Sequence, residues 1–236
     1  MSVFVSVGIV ILAMLVMIFL QLLPGVFAVF CHYAYGKYSK KRASDLGLFF
    51  ILGAETIAAC LFLSCYYITY VLFIGNARPE TGIFAWIAVG VLVVLAAVSF
   101  FFYYRKGSGS RLFIPRHIAK ALDENAKKVK TRSDAFTLGA LAGTYELAFT
   151  LPLYIVTAVE IMEMNTEYFS SNLLTVLYIL TPTVPLFVVR WMFQTHHNLA
   201  DIMRARVKDK NFTRLMLAIC YITIAILIIY HRINLS

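Results

Sequence analysis

Two carboxylates stand inside apolar runs of this chain, where ionisable side chains are costly. Glu146 lies about twelve residues into the fourth of six runs, and Glu55 lies about nine residues into the second. A charged group in the bilayer core costs a few kcal/mol, so such residues face the protein interior and mark ion or proton pathways. A protonated Glu bonded to a neighbouring helix is the structural alternative. Gly53 and Ala54, beside Glu55, would permit close approach of a second helix.

Prolines interrupt the same kind of run at Pro24, Pro152, Pro182 and Pro185. Proline has no N–H, so each one leaves the carbonyl four residues earlier without its helical donor. In a membrane such a carbonyl is satisfied by side chains, water or a ligand. A kinked helix repaired by its neighbours is the structural alternative. Nearby threonine hydroxyls could join these carbonyls in a polar pathway. They are Thr150, Thr181 and Thr183.

The elements that must position these residues are membrane helices. The 236 residues are 61% hydrophobic and 14% charged, whereas soluble domains average about 45–50% apolar and about 25% charged. Each apolar run approaches or exceeds the roughly 20 residues that a spanning helix needs. We therefore predict an all-α polytopic membrane protein with six transmembrane helices. The runs cover about 5–30, 46–74, 82–104, 134–160, 172–193 and 215–230.

The net charge of +9 is distributed unevenly between the connections. Connections 1–2, 3–4 and 5–6 carry the basic residues, whereas connection 2–3 has only Arg78. Connection 4–5 has no basic residue and carries Glu160, Glu163 and Glu167. The positive-inside rule places the basic connections in the cytoplasm and both chain ends outside. The lipid bilayer is thus the predicted partner of these charges, and no nucleic-acid-binding motif accompanies them. The N-terminus lacks a basic n-region and a cleavage site, which predicts that the first run stays as a span.

The longest connection divides the chain into two halves. We predict a three-helix repeat over 1–104, a basic cytoplasmic linker over 105–133 and a second repeat over 134–236. Because each half has an odd number of spans, the second repeat would be inverted, as in many transporters. The linker begins with Gly and Ser at 107–110, followed by an amphipathic pattern after Pro115. That pattern predicts either a helix on the cytoplasmic leaflet or a solvated helical linker.

Motifs for enzymatic, metal or cofactor chemistry are not found in the sequence. There is no nucleophile elbow, phosphate loop or CxxC pair, so an enzyme reading has no motif behind it and no cofactor is predicted. His196 and His197 are adjacent, and adjacent helical residues do not face each other, so no metal site is predicted. Arg190 is predicted to reach lipid headgroups. The cysteines are predicted to be small buried hydrophobes. They are Cys31, Cys60, Cys65 and Cys220.

Two short motifs carry a resemblance to a known superfamily. Residues 139–154, GALAGTYELAFTLPLY, resemble the fourth span of the CcdA/DsbD transmembrane family, where a Glu, a redox Cys, a Thr and a Pro recur in this order. Leu-Pro-Gly at 23–25, Gly-Lys at 36–37 and Gly-Ala-Glu at 53–55 resemble the first half of that family and of the LysE-type exporters. The resemblance implies six helices in inverted three-helix repeats, located in a bacterial inner membrane.

The redox chemistry of the CcdA family is not supported by the aligned residues. That family needs one cysteine in each half, and the corresponding positions are Gly25 and Ala148. Neither residue can form the thiolate that thiol–disulfide exchange requires. The resemblance therefore favours the scaffold of the superfamily without its electron transfer.

The leading hypothesis is a secondary transporter that exports a small polar solute or cation. A CcdA-like electron-transfer or assembly protein, which would use cysteines in other positions, is the alternative. A membrane scaffold whose basic 3–4 connection docks a cytoplasmic partner is a third reading, and a homo-oligomer stays open. Breaks at Pro24 and Pro152, in the first helix of each half, would line the pathway. The predicted pathway residues are Glu146, Glu55, Pro152, Pro24, Thr150 and Pro182.

Overall fold

The computed structural model describes residues 2–20, 22–75, 81–101, 116–164, 168–196 and 210–233. Every secondary-structure element within these ranges is a helix, which confirms the all-α prediction. The helices are α1 (Ser2–Phe19), α2 (Leu22–Lys37), α3 (Lys40–Gly75), α4 (Thr81–Phe101), α5 (Arg116–Lys128), α6 (Arg132–Glu163), α7 (Tyr168–Leu180), α8 (Thr183–His196) and α9 (Lys210–Ile233).

Several of these helices are long and apolar enough to cross a membrane. Three stretches qualify as single spans: Val3–Lys37, Lys40–Leu72 and Asn211–His231. Two bent pairs raise the number to five, if each pair is one span. They are Arg132–Leu147 with Phe149–Glu163 and Asn172–Leu180 with Thr183–Thr195. The described apolar part of α4, Ala85–Phe101, is shorter. The chain is thus a helical membrane protein with three to five candidate spans, and the sixth span stays a prediction.

Helices α3 and α6 have the most extensive contact of any described pair. Two glycines permit it. A Cβ atom on Gly53 would collide with the carbonyl oxygen of Phe136, and one on Gly139 would collide with that of Phe50. Backbones can approach this closely only where the side chain is a single hydrogen. The close approach predicted at Gly53 is therefore confirmed, and Gly139 is its counterpart on α6.

The described residues form two hydrophobic cores, and each draws on both halves of the chain. One core contains Phe62, Tyr178 and Tyr221, from α3, α7 and α9, together with α1, α4 and the second part of α6. The other contains Phe27 and Phe50, from α2 and α3, together with α5, α8 and the first part of α6. The two halves of the sequence therefore interlock through α3 and α6 and do not bury separate cores.

Large apolar side chains cover much of the outside of the bundle. Examples are Leu63 on α3, Trp86 on α4, Val188 on α8 and Ile226 on α9, each about half exposed or more. A soluble monomer rarely exposes apolar surface on this scale. The exposed surface therefore fits contact with lipid tails, as the composition predicts.

Helix α5 lies in the predicted linker and packs on the protein. Its Leu122 and Ala126 are buried in the core that contains α2. The Tyr33 hydroxyl donates to Asp123 Oδ1 at 3.2 Å, and Lys127 Nζ donates to Asp123 Oδ2 at 2.6 Å. That hydrogen bond raises the pKa of Lys127. The reading of a helix that rests on the leaflet is wrong for this apolar face, because α2 covers it. The Gly/Ser stretch 107–110 and Pro115 lie outside the described residues.

Polar contacts gather the start of α3, the linker and the end of α8 at one end of the bundle. Arg42 donates to the Lys130 carbonyl at 3.1 Å. The Arg190 guanidinium donates to Ser44 Oγ at 2.8 Å, so it ties α8 to α3, whereas the sequence predicted contact with headgroups. The common end agrees with the predicted sidedness. Several residues used to predict it lie outside the described ranges: Arg78, Glu167, Arg204, Arg206 and Lys208. His197, considered above for a metal site, also lies outside them.

Candidate functional site

The first span is interrupted before Pro24. Leu20 lies between α1 and α2, and Pro24 occupies the third position of α2. The first N–H groups of a helix have no intrahelical acceptor, so a proline there costs no helical hydrogen bond. The interruption at Leu20 lies four residues before Pro24, at the residue whose carbonyl the sequence predicted to lose its helical donor. The interruption comes first, and Pro24 fits into the first turn that follows it.

Helix α6 is bent where Pro152 removes a hydrogen bond. The segments Arg132–Leu147 and Phe149–Glu163 meet at 76°, and Pro152 lies inside the helix. The bend is at residue 148, four residues before Pro152, where the carbonyl loses its donor and meets the proline ring. The sequence predicted a broken helix. The structure shows a continuous but bent one, with the Thr150 hydroxyl donating to the Glu146 carbonyl at 3.3 Å.

A third interruption separates α7 from α8 at Thr181 and Pro182. The segments on either side are bent by 40°. The Thr181 hydroxyl donates to the Leu177 carbonyl at 2.7 Å, and the Thr183 hydroxyl donates to the Leu180 carbonyl at 2.6 Å. The carbonyl that Pro182 frees, that of Tyr178, accepts from the backbone N–H of Thr181 at 3.3 Å, so it is satisfied within the chain, as in the structural alternative.

Glu146 is buried where two of these interruptions meet. Its side chain is 7% exposed, and its Oε1 accepts a hydrogen bond from the backbone N–H of Leu23 at 3.5 Å. Leu23 belongs to the first turn of α2, the end of a helix that carries partial positive charge. The first turn of α2 thus supplies a donor and a favourable field to a carboxylate within the bundle.

A small cavity adjoins Glu146. Its volume is about 20 Å³, and its lining includes Leu23, Glu146, Thr150, Tyr154 and Pro182. This volume accommodates about one water molecule or one small ion. The lining brings together residues of α2, of α6 and of the α7–α8 interruption. The predicted residues Glu146, Thr150 and Pro182 therefore meet at one place, whereas Pro24 and Pro152 are not among the residues that line it.

Glu55 lies next to the cavity but not on its wall. Its neighbour Ala54 and Ala58 on the same helix line the space. Both carboxylate oxygens of Glu55 are buried and have no hydrogen-bond partner among the described residues. The carboxylates of Glu55 and Glu146 both interact electrostatically with the Tyr154 hydroxyl. Tyr154 therefore belongs to the site, and the signal for it was present, because Glu146, Thr150 and Tyr154 follow at intervals of four on one helix face.

The cysteines do not line this cavity. Cys31 is buried in one core and Cys220 in the other, whereas Cys65 is partly exposed and Cys60 is exposed. All four are free thiols, and none lines the cavity. The prediction of buried cysteines is confirmed for Cys31 and Cys220 and is wrong for Cys60.

Fold and site together define a class: a helical membrane protein with a buried carboxylate at the meeting point of interrupted helices. Comparison of the chain with protein-family models, with curated proteins and with solved structures finds no match.

Proposed function

We propose that this protein is a secondary transporter that exports a small polar solute or cation, and that Glu146 binds the transported or coupling cation. One observation carries the proposal. A buried carboxylate lies at the first turn of α2, beside a cavity bounded by three helix interruptions. Interrupted helices around an ion or substrate site are a recurring device of transporters.

The contacts between helices support a scaffold of two inverted repeats. Take α1–α2, α3 and α4 as spans one to three, and α6, α7–α8 and α9 as spans four to six. If the two halves are equivalent, span one corresponds to span four, span two to span five and span three to span six. Each main contact between two spans then has a counterpart between the two corresponding spans. The contact of α3 with α6 corresponds to that of α2 with α8, and the contact of α1 with α9 corresponds to that of α4 with α6. The contact of α2 with α3 corresponds to that of α6 with α7, and the contact of α4 with α9 is its own counterpart. This scaffold is the one implied by the resemblance to the LysE and CcdA families.

The geometry of Glu146 suggests how a cation could be bound and released. In the conformation described, the carboxylate accepts a hydrogen bond from Leu23. A proton or metal cation on the same carboxylate weakens that bond and the attraction to the positive end of α2. Movement of α2 relative to α6 would then depend on whether the cation is bound. The cavity of about 20 Å³ fits a proton carrier, a water or a bare cation, so a larger solute requires an opened conformation.

The test is flux in proteoliposomes that contain the purified full-length chain. Proton movement is followed with an internal pH dye under an imposed potassium diffusion potential, and sodium movement with a radioactive tracer. Flux of either ion above that of empty vesicles is expected, with loss of at least about tenfold in Glu146→Gln. Glu124→Gln, on the exposed surface of α5, is the matched control and should keep the wild-type rate. Wild-type flux in Glu146→Gln, or no flux of either ion in the wild type, would refute cation binding by Glu146.

A structural role for Glu146 is the second candidate, because its contact with Leu23 also fixes α2 against α6. In that case the wild type would carry no flux of either ion, and Glu146→Gln would lower only the stability of the folded protein. No comparable observation favours the electron-transfer alternative, since the four thiols are free and none of them lines the cavity.

A further inference from the structure

A second group of ionisable side chains lies away from the cavity, about four turns further along α6. Glu160 and Glu163 come from the end of α6, and His231 comes from the end of α9. The His231 Nδ1 atom is 3.7 Å from Glu160 Oε2 and 3.9 Å from Glu163 Oε2. One ligand atom from each residue can be chosen so that all three lie within 4.8 Å of one another.

These three side chains are withdrawn from solvent. The side chains of Glu160 and His231 are each 5% exposed, and that of Glu163 is 19% exposed. Together they carry a charge of −2 with a neutral imidazole, or −1 with a protonated one. Buried carboxylate and imidazole groups that converge in this way are a common set of ligands for divalent metal ions. A divalent cation would be attracted by the two carboxylates and would coordinate the neutral imidazole.

The spacing of the ligands suits a single metal ion. Residues three apart on a helix face the same side, so Glu160 and Glu163 present adjacent carboxylates. Bonds of about 2.0–2.1 Å from a tetrahedral metal place its ligand atoms about 3.3 Å apart. The separations from His231 Nδ1, 3.7 and 3.9 Å, exceed that value by about half an ångström, and all three ligand atoms lie within 4.8 Å of one another.

We propose that Glu160, Glu163 and His231 bind one divalent transition-metal ion, which links α6 to α9 at the end of the bundle that the charge pattern places outside. One imidazole and two carboxylates suit ions such as Zn²⁺ or Mn²⁺ better than Ca²⁺ or Mg²⁺, which prefer oxygen ligands alone. Three protein ligands leave a fourth position open for water. The site is independent of the cavity at Glu146 and of the proposed transport.

The experiment measures Zn²⁺ binding to the full-length protein in detergent after chelation and removal of the chelator. Titration calorimetry should give one Zn²⁺ per chain, and Zn²⁺ should raise the melting temperature where Mg²⁺ does not. Even outer-shell changes at metal sites weaken binding about 10–100-fold. Loss of a direct ligand in Glu160→Gln or His231→Ala should therefore weaken it by at least about 100-fold.

Two controls remove the same side-chain types elsewhere: Glu124→Gln on α5 and His32→Ala on the exposed side of α2. Both should bind Zn²⁺ as the wild type does. The melting temperature of each ligand variant in chelator shows whether the variant is folded. A folded variant whose melting temperature does not rise on addition of Zn²⁺ supports the site. The proposal would be overturned if the wild type showed no saturable Zn²⁺ binding, or if Glu160→Gln and His231→Ala both bound Zn²⁺ as tightly as the wild type. The three side chains would then be a buried ion pair only.

Discussion

Leu23 and Glu146 are 123 positions apart in the chain, yet the backbone N–H of one donates to the carboxylate of the other. The contact joins the first turn of α2 to the turn of α6 that precedes its bend. It holds a buried carboxylate of α6 against the first turn of α2. Its energetic contribution can be measured without knowledge of any substrate.

Replacement of Glu146 by Ala should destabilise the protein by about 1–3 kcal/mol, the cost of leaving a buried donor without its acceptor. Glu146→Gln keeps an oxygen acceptor in the same place and should lose less. The free energy of unfolding in detergent is the measurement. Glu124→Ala, at an exposed site, should change it by less than about 0.5 kcal/mol. Equal stability of Glu146→Ala and the wild type would show that the contact contributes nothing.

Substitutions at Gly53 and Gly139 should destabilise the contact between α3 and α6. A Cβ at either position meets a backbone carbonyl, which cannot rotate away as a side chain would. We expect Gly53→Ala and Gly139→Ala each to cost about 1–3 kcal/mol or more. Gly90→Ala is the matched control, because a Cβ there meets nothing within 4 Å. It should be neutral or stabilising by up to about 1 kcal/mol. Equal effects at the three positions would contradict the close approach.

Thiol counting separates the transporter proposal from the electron-transfer alternative. In denaturant, four thiols per chain should react with a maleimide whether or not the protein was first reduced. In the folded protein, Cys31 and Cys220 should react only on unfolding, because they are buried. A count that rises on reduction would instead reveal a disulfide and favour electron transfer.

The orientation is testable with single cysteines in a cysteine-free background. Ile233→Cys, at the exposed end of α9, should react with a membrane-impermeant maleimide on intact cells. Glu124→Cys, on α5, should react only after permeabilisation, because the positive-inside rule places the linker in the cytoplasm. The reverse pattern would show that the charge distribution gives the wrong orientation for this chain.

Local features of the sequence were enough for much of the fold. The all-helical class follows from the length of the apolar runs, since a hydrocarbon environment forces each segment to satisfy its own backbone. The interruption at Pro182 follows from a missing donor, and the bend at residue 148 from Pro152. The interruption at Leu20 lies four residues before Pro24, by the same rule, and the sequence does not show that Pro24 itself would lie in the first turn of the next helix.

The sequence by itself determined the membrane class, the uneven charge of the connections and the presence of costly carboxylates in apolar runs. These are properties of composition and of short spacing, which do not depend on partners. Only the tertiary structure decided that Glu146 meets α2, that α5 packs on α2, and that Glu160, Glu163 and His231 converge. Each of these depends on which faces of distant helices come together. Small residues such as Gly53 indicate that a helix can approach closely, but they do not show that the partner is α6.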